Sequence, residues 1–369
     1  MKILHVVGAR PNYMKIAPLM RALGQYPDSF EQVLVHTGQH YDPQMSQVFF
    51  DELELPRPDI NLNIGSGTHA WQTAQVMLHF EPVLLEFKPD WVLVVGDVNS
   101  TLACSLVCSK LGIRVAHVEA GLRSYDRSMP EEINRILTDQ ISDLLFTPSQ
   151  DGNANLLREG VSPEKIHFVG NVMIDTLIRM LPKAQTHWDH LKEKFCINDK
   201  GFVLVTLHRP SNVDDPHILS EIMTALVEIS QDLPVLFPVH PRTRQRVNDL
   251  EKETKSSQMQ NIEPLGYLDF LAIQAHAALV LTDSGGIQEE TTYLGIPCLT
   301  ARSNTERPVT ITHGTNQLVK SDTGSLITAM QKRLMEKPLD LKVPLLWDGH
   351  AAERIVKVML EISSGQLHL

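Results

Sequence analysis

Cysteine is scarce: Cys104, Cys108, Cys196 and Cys298 are the whole complement. Their spacing makes neither a metal-ligand pair nor a disulfide framework. Cys104 and Cys108 fall on one face of a predicted helix, where they read as small core residues. Long apolar runs are also missing. Stretches such as Trp91–Val95 and Phe202–Leu207 are far shorter than the roughly 20 residues of a membrane-crossing helix. Met1-Lys-Ile-Leu4 enters a strand at once with no signal-peptide pattern, so the expected compartment is the cytoplasm. No run of Lys or Arg is present and the net charge is −11, which argues against a nucleic-acid polymer as partner. The first strand is followed by Gly8-Ala-Arg-Pro11 rather than Gly-x-Gly-x-x-Gly, which disfavours a dehydrogenase or an epimerase built on bound NAD. No P-loop motif and no His/Cys/Asp cluster with metal spacing occur, so neither a cofactor nor a metal is expected.

What is there is an α/β rhythm. The 369 residues are 43% hydrophobic and 21% charged, ordinary for a soluble chain of two or three domains. Short β-branched runs alternate with amphipathic segments, the signature of parallel sheets with crossover helices. Strands are predicted at Lys2–Val7, Gln32–His36, Trp91–Val95, Arg114–Val118, Leu144–Thr147 and His167–Val169. Helices lie between them, including His69–Phe87, Ser100–Leu111, Asp151–Glu159 and one opening at Pro130-Glu131. This reads as a Rossmann-like domain over 1–170. The polar, irregular stretch Ala184–Asn198 reads as connector, and a second domain is expected over 171–349. Its strands are Phe202–Leu207, Val235–Val239 and Leu279–Thr282, with a helix at Pro216–Ile229 and a basic one from Pro241. Helices follow at Ser325–Met335 and His350–Ser363, and the last, about 350–369, is expected to pack back on the first domain.

Polar residues gather where the strands end. In parallel α/β sheets, ligands bind outside the carboxyl ends of the strands. Those ends carry Arg10, Gln39 with His40, Asp97, Glu119, His208 with Arg209, His240, and Asp283 with Ser284. After Ala278–Thr282, Asp283-Ser284-Gly285-Gly286 leads into a helix whose free N–H groups and positive end form a phosphate seat. Glu290, further along that helix, is placed to reach a ribose diol. Asp97 and Glu119 end neighbouring strands, and Glu131 starts a helix shortly after. Three converging carboxylates would raise one another's pKa by repulsion and partial burial, which suits proton abstraction from a carbon acid. The bland alternative for Asp97 is a helix N-cap. For His208 it is a structural histidine; the functional reading is donation to a leaving phosphate.

Taken in order, Gly8-Ala-Arg-Pro11 with Lys15-Ile-Ala-Pro18, Gly96-Asp97, His117-Val-Glu-Ala-Gly-Leu-Arg123 and Pro130-Glu-Glu-Ile-Asn-Arg135 resemble one known family. The match continues through His208-Arg209, Pro238-Val-His-Pro241, Asp283-Ser-Gly-Gly-Ile-Gln-Glu-Glu290 and Glu306-Arg-Pro308. The family is the non-hydrolysing UDP-N-acetylglucosamine 2-epimerases, and the resemblance covers nearly the whole chain. It implies a GT-B-like pair of Rossmann-like domains with parallel sheets, an inter-domain cleft, and UDP held mainly by the second domain. It implies reversible epimerisation at C2 of UDP-GlcNAc to UDP-ManNAc, by loss of the C2 proton and UDP to give 2-acetamidoglucal and re-addition of UDP. Asp97, Glu119 and Glu131 would be the acid/base carboxylates. Arg10 and Lys15 would face the nucleotide-sugar, Leu265 (through its backbone) and Phe270 the uracil, and Ser284, Gly285 and Gly286 the diphosphate. Glu290 would take the ribose, and His208 and Arg307 the phosphates. Gln39, His40 and His240 match a regulatory site for a second UDP-sugar, although Asn63–His69 lacks the Arg-Gln pair of some members. A homodimer serving polysaccharide biosynthesis is the expected assembly.

The chain departs from the family at Gly-Ala-Arg-Pro-Asn12, where many members have Gly-Thr-Arg-Pro-Glu, and at Pro210-Ser-Asn212, where Arg-Glu is more usual. A UDP-2,3-diacetamido sugar acid therefore remains an alternative substrate. A GT-B glycosyltransferase or a catalytically silent UDP-sugar sensor would share the fold, but neither needs the acid set.

Overall fold

The computed structural model describes residues 1–38, 49–239, 241–254, 258–336 and 343–366. It divides into two compact units, Met1–Arg179 with Leu345–Leu369, and Met180–Pro344.

The first unit is built on an all-parallel sheet ordered β3-β2-β1-β4-β5-β6-β7. Its strands are β1 (Lys2–Val7), β2 (Glu31–His36), β3 (Ile60–Asn61), β4 (Trp91–Val95), β5 (Arg114–Val118), β6 (Leu144–Thr147) and β7 (Ile166–Phe168). Helices α1 (Arg10–Leu23), α2 (His69–Phe87), α3 (Asn99–Leu111), α4 (Pro130–Ile141), α5 (Gln150–Arg158) and α6 (Val172–Gln185) form the crossovers and the exit from the sheet. Every residue of β4, Trp-Val-Leu-Val-Val, is buried, as expected of a central strand covered on both faces. β4 pairs with β1 on one side and β5 on the other, which sets Gly96-Asp97 beside Glu119.

The second unit repeats the plan as β10-β9-β8-β11-β12-β13. Its elements in chain order are α7 (Trp188–Lys194), β8 (Val203–Thr206), α8 (Pro210–Val213), α9 (Pro216–Ile229), β9 (Val235–Pro238) and α10 (Pro241–Thr254). Then come β10 (Met259–Ile262), α11 (Tyr267–His276), β11 (Leu279–Thr282), α12 (Gly285–Leu294), β12 (Cys298–Ala301), α13 (Val309–Thr312), β13 (Asn316–Val319) and α14 (Thr323–Met335). Leu226, Phe237, Leu281 and Leu299 lie at the centre of its core. The closing helix α15 (Ala351–Ser363) belongs to the first unit. There Asp175 of α6 accepts the Ala351 and Ala352 amides at 3.1 and 2.7 Å, capping its N-terminus.

One expectation is corrected, and four strands had no counterpart in the sequence reading. The stretch 184–198 is not irregular: the end of α6 and α7 occupy much of it, with Leu191 buried on the inner face of α7. Its charged residues solvate the outer face and hide the helical period. The strands β3, β10, β12 and β13 went unpredicted. β3, β10 and β13 are sheet edges carrying Asn and Gln, and β12 is only Cys-Leu-Thr-Ala.

The strand order reverses between β1 and β4 in one sheet and between β8 and β11 in the other. Crevices for ligands open at such switch points. Arg10 and Asp97 follow the first pair of strands, and His208 and Asp283-Ser284 follow the second.

Candidate active site

In the first unit the turn after β1 is pinned by Asn12. Its side chain accepts the amides of Gly8 and Ala9 at 3.0 and 2.9 Å and donates to the Val95 carbonyl at 3.0 Å. A glutamate here would have no N–H to offer Val95, so Asn12 gives this chain a tie between β1 and β4 that the commoner family residue cannot make. Gly96 then turns with φ 69°, and a Cβ at that position would meet Lys15 Nζ at 2.8 Å and Glu119 Oε2 at 3.3 Å. Only glycine lets the chain pass this close to the pair.

Asp97 is not a helix cap. The N-cap of α3 is Val98, and the Asp97 carboxylate instead pairs with the buried guanidinium of Arg135 on α4. Arg135 also donates to Glu132 from Nε at 3.0 Å and from NH2 at 2.6 Å. Glu132 in turn accepts the amides of Ser124 and Tyr125 at 3.0 and 2.8 Å. Burial opposes the charge on Glu132, but these amides and Arg135 outweigh it and hold its carboxyl below the ordinary value. A quarter of the Asp97 side chain, 26%, stays exposed beside the Arg135 pair.

Glu119 follows β5 with φ 75°, a left-handed conformation costly for a side chain with a Cβ. Its carboxylate pairs with Lys15, and both side chains are 5% exposed. Lys15, expected to face the sugar, thus spends its ammonium on Glu119. Two of the three acids each have a cation partner: Lys15 on Glu119 and Arg135 on Asp97. Burying a carboxylate without such a partner is prohibitive. Glu131 opens α4, half-buried, at the positive end of the helix dipole. Arg10 opens α1, and its side chain lies outside the described residues, as do Gln39, His40 and His240.

In the second unit the organising residue is Asp283, fully buried at the end of β11. It accepts the His208 amide at 3.1 Å, the Arg209 amide at 2.9 Å, Asn212 Nδ2 at 3.0 Å and His208 Nδ1 at 2.8 Å. Burial works against its charge, yet His208 and these donors hold the carboxyl below its usual value. His208 is 56% exposed, and Asp283 fixes its ring through Nδ1. The departure Pro210-Ser-Asn212 supplies the donor that completes this cradle.

Ser284 is the N-cap of α12 but makes no capping bond, leaving the Gly285 and Gly286 amides at the helix mouth. A Cβ on Gly285 would collide with the Arg307 guanidinium. Arg307, expected on a phosphate, is 5% exposed; its Nε is 2.9 Å from Glu289, and it also pairs with Glu306. Arg302 holds Glu306 in turn at 2.7 Å. Glu290 is buried with Tyr267 Oη donating to it at 3.0 Å, while its Oε2 has no hydrogen-bond partner among the described residues. Burial, reinforced by Glu289, pushes its carboxyl up to about 7 against the pull of Tyr267. Leu265 and Phe270 flank Tyr267, both half-buried, in the β10–α11 loop and the first turns of α11.

The family model for UDP-N-acetylglucosamine 2-epimerase matches residues 21–360. The chain belongs to that family. It is an isomerase with a GT-B-like fold of two parallel α/β sheets. It is 44% identical to the UDP-N-acetylglucosamine 2-epimerase of Methanocaldococcus jannaschii over 366 residues, 97% of this chain and 99% of that one. It is 40% identical to the UDP-2,3-diacetamido-2,3-dideoxy-D-glucuronate 2-epimerase of Pseudomonas aeruginosa, covering 98% of this chain and 100% of that one. The solved structure of the M. jannaschii UDP-GlcNAc 2-epimerase, in complex with UDP-GlcNAc and UDP, is similar with TM-score 0.90 at 44% identity, covering 98% of this chain and 99% of that one. A Rickettsia africae glycosyltransferase, 14% identical with TM-score 0.58 over 99% of this chain and 98% of that one, shares the fold alone.

For a 2-epimerase of this family, the residues that sequence reasoning left without a role are Arg135, Glu132, His117 and Asp139 around the acids of the first unit, and Asp283 behind His208 in the second. Arg135 is 38 residues from Asp97, and Lys15 is 104 from Glu119. Arg135, Glu132, His117 and Asp283 lie inside the quoted motifs and Asp139 lies outside them; only Glu132 and Arg135, three apart on one helix, are paired by local spacing.

Proposed function

We propose that this enzyme interconverts UDP-GlcNAc and UDP-ManNAc. A carboxylate removes the C2 proton, and the C1–O bond breaks with its electron pair passing to UDP. The C1–C2 double bond of 2-acetamidoglucal forms. UDP oxygen then attacks C1 as a proton arrives on the opposite face of C2. Atoms and electrons balance without a redox cofactor. The observation that carries the reading is the chemistry at the two switch points: Asp97 and Glu119, each backed by its own cation, in one unit, and the amides of Gly285 and Gly286 with His208 in the other. Departing UDP gains charge, and oriented donors stabilise that charge. Asp97, Glu119 and Glu131 take the acid/base roles. Arg10 and Lys15 serve the nucleotide-sugar side of the first unit, Lys15 by holding Glu119. Leu265 and Phe270 serve the uracil. Ser284, Gly285 and Gly286 seat the diphosphate, with Arg307 bracing Gly285, and the free Oε2 of Glu290 takes the ribose diol.

The deciding experiment is incubation with UDP-GlcNAc in heavy water and NMR of the product. Deuterium at C2 of both epimers is expected, and Asp97→Asn or Glu119→Gln should abolish turnover while UDP still binds. Near-wild-type activity in both variants removes the acid/base assignment. Because a 40% identical relative is named for a UDP-diacetamido uronate, that sugar is the second substrate to assay; preference for it would move the reading within the same chemistry.

Among the described residues no helix is long and apolar enough to cross a membrane. The proposal places the enzyme in the cytoplasm, supplying an activated sugar for polysaccharide assembly as a homodimer. The dimer is supported by α2, where Trp71, Leu78 and Leu85 recur every seventh residue and are 45%, 64% and 57% exposed. Such a stripe is self-complementary across a two-fold axis.

A further inference from the structure

We propose that His117 is a positioning residue of the epimerisation: a doubly protonated imidazole that clamps the turn bearing Asp97 to the turn bearing Glu119. The inference rests on the reading above that those two carboxylates handle the C2 proton.

His117 lies on β5 and is fully buried. Its Nε2 is 2.8 Å from the Gly96 carbonyl, and its Nδ1 is 2.6 Å from Asp139 Oδ1. A carbonyl and an ionised carboxylate can only accept, so a ring with a single N–H would set one lone pair against another. Both nitrogens therefore donate. Burial opposes the charge on Asp139, but His117 and Arg123 outweigh it and hold that carboxyl below its ordinary value.

The clamp continues past the ring. The second oxygen of Asp139 accepts the Gly121 amide at 3.1 Å and lies 2.7 Å from Arg123 NH1. Arg123 is itself held by Glu159 at 2.8 and 2.6 Å. One chain of bonds thus runs from Gly96, which precedes Asp97, through His117 and Asp139 to Gly121, just beyond Glu119. The other charges nearby are Lys15 and Glu119, packed against Gly96. Gly96, Glu119 and Gly121 have φ of 69°, 75° and 81°. Left-handed backbone at a glutamate persists only where the surroundings over-determine it, and the clamp supplies that constraint at both turns.

The test uses the full chain. In the wild-type protein with labelled histidine, NMR near neutral pH should show protons on both ring nitrogens of His117. His117→Phe and Asp139→Asn should each lower kcat on UDP-GlcNAc by about 100-fold, the scale of a small misplacement of catalytic groups. KM and UDP affinity should stay within about twofold, and C2 deuterium incorporation should fall in step with kcat. A ring carrying one proton overturns the inference. So does kcat within about threefold of wild type, or loss of kcat and UDP affinity together with melting temperature, the pattern of a merely structural histidine. Should His117→Phe fail to fold, Asp139→Asn and the wild-type NMR decide. A wild-type enzyme that places no solvent deuterium at C2 sinks the functional reading instead, and the ring protonation is read independently of it.

Discussion

Single residues here are defined by who stands behind them. Asp97 is visible as a polar strand exit, but its hold by Arg135, and the hold of Arg135 by Glu132, emerge only from packing. Glu290 shows what burial adds. An exposed glutamate would be ionised at neutral pH, whereas this one, buried with an unpartnered Oε2, has its carboxyl raised to about 7. A ribose diol donates to the carboxylate and so favours the ionised form. Binding of UDP should therefore release a proton near pH 7, and affinity should weaken as pH falls below 7, approaching about tenfold per unit. Calorimetry in buffers of different ionisation enthalpy measures the proton directly, and Glu290→Gln should abolish that component. Equal pH dependence in both proteins would remove Glu290 from the ribose.

At the level of elements, boundaries follow local chemistry. Pro130 with acids in the first turn begins α4, and Gly295 in a left-handed conformation ends α12. What local chemistry does not reveal is that α15 depends on a residue far upstream. Asp175 caps it while buried, and burial pushes that carboxyl up to about 6 despite the Ala351 and Ala352 amides. A folded-state value above the unfolded one means the folded protein binds the proton more tightly. The associated stability is present below about pH 4 and is lost as pH rises through 6, on the order of 3 kcal/mol in all. Hydrogen exchange at Ile355 and Val356, corrected for intrinsic rates, should show α15 opening more readily at pH 7 than at pH 5. Asp175→Asn should flatten the dependence. Rising protection between those pH values in the wild type would contradict it.

For the whole molecule, one six-strand order occurs in both sheets, the first adding a seventh strand, with no visible sequence repeat, because a parallel sheet demands only buried β-branched runs and crossovers of sufficient length. The charge of −11 favours dispersal, and the proposed dimer would overcome it through the apolar stripe of α2. Leu78→Glu, in the middle of the exposed stripe of α2, should convert a dimer to a monomer in sedimentation velocity without loss of helix content. A variant that sediments as the wild type does would place the seam elsewhere.

By itself the sequence determined the α/β class, most strand positions, the polar strand exits and the family, because periodicity, turn residues and short motifs are local properties carried in order along the chain. Only the tertiary structure decided which charges meet: Lys15 with Glu119, Arg135 with Asp97, His117 with Asp139, His208 with Asp283. Such pairs form between helices and strand ends that the fold brings side by side, and the energy of a buried ion pair depends on that approach rather than on separation in sequence.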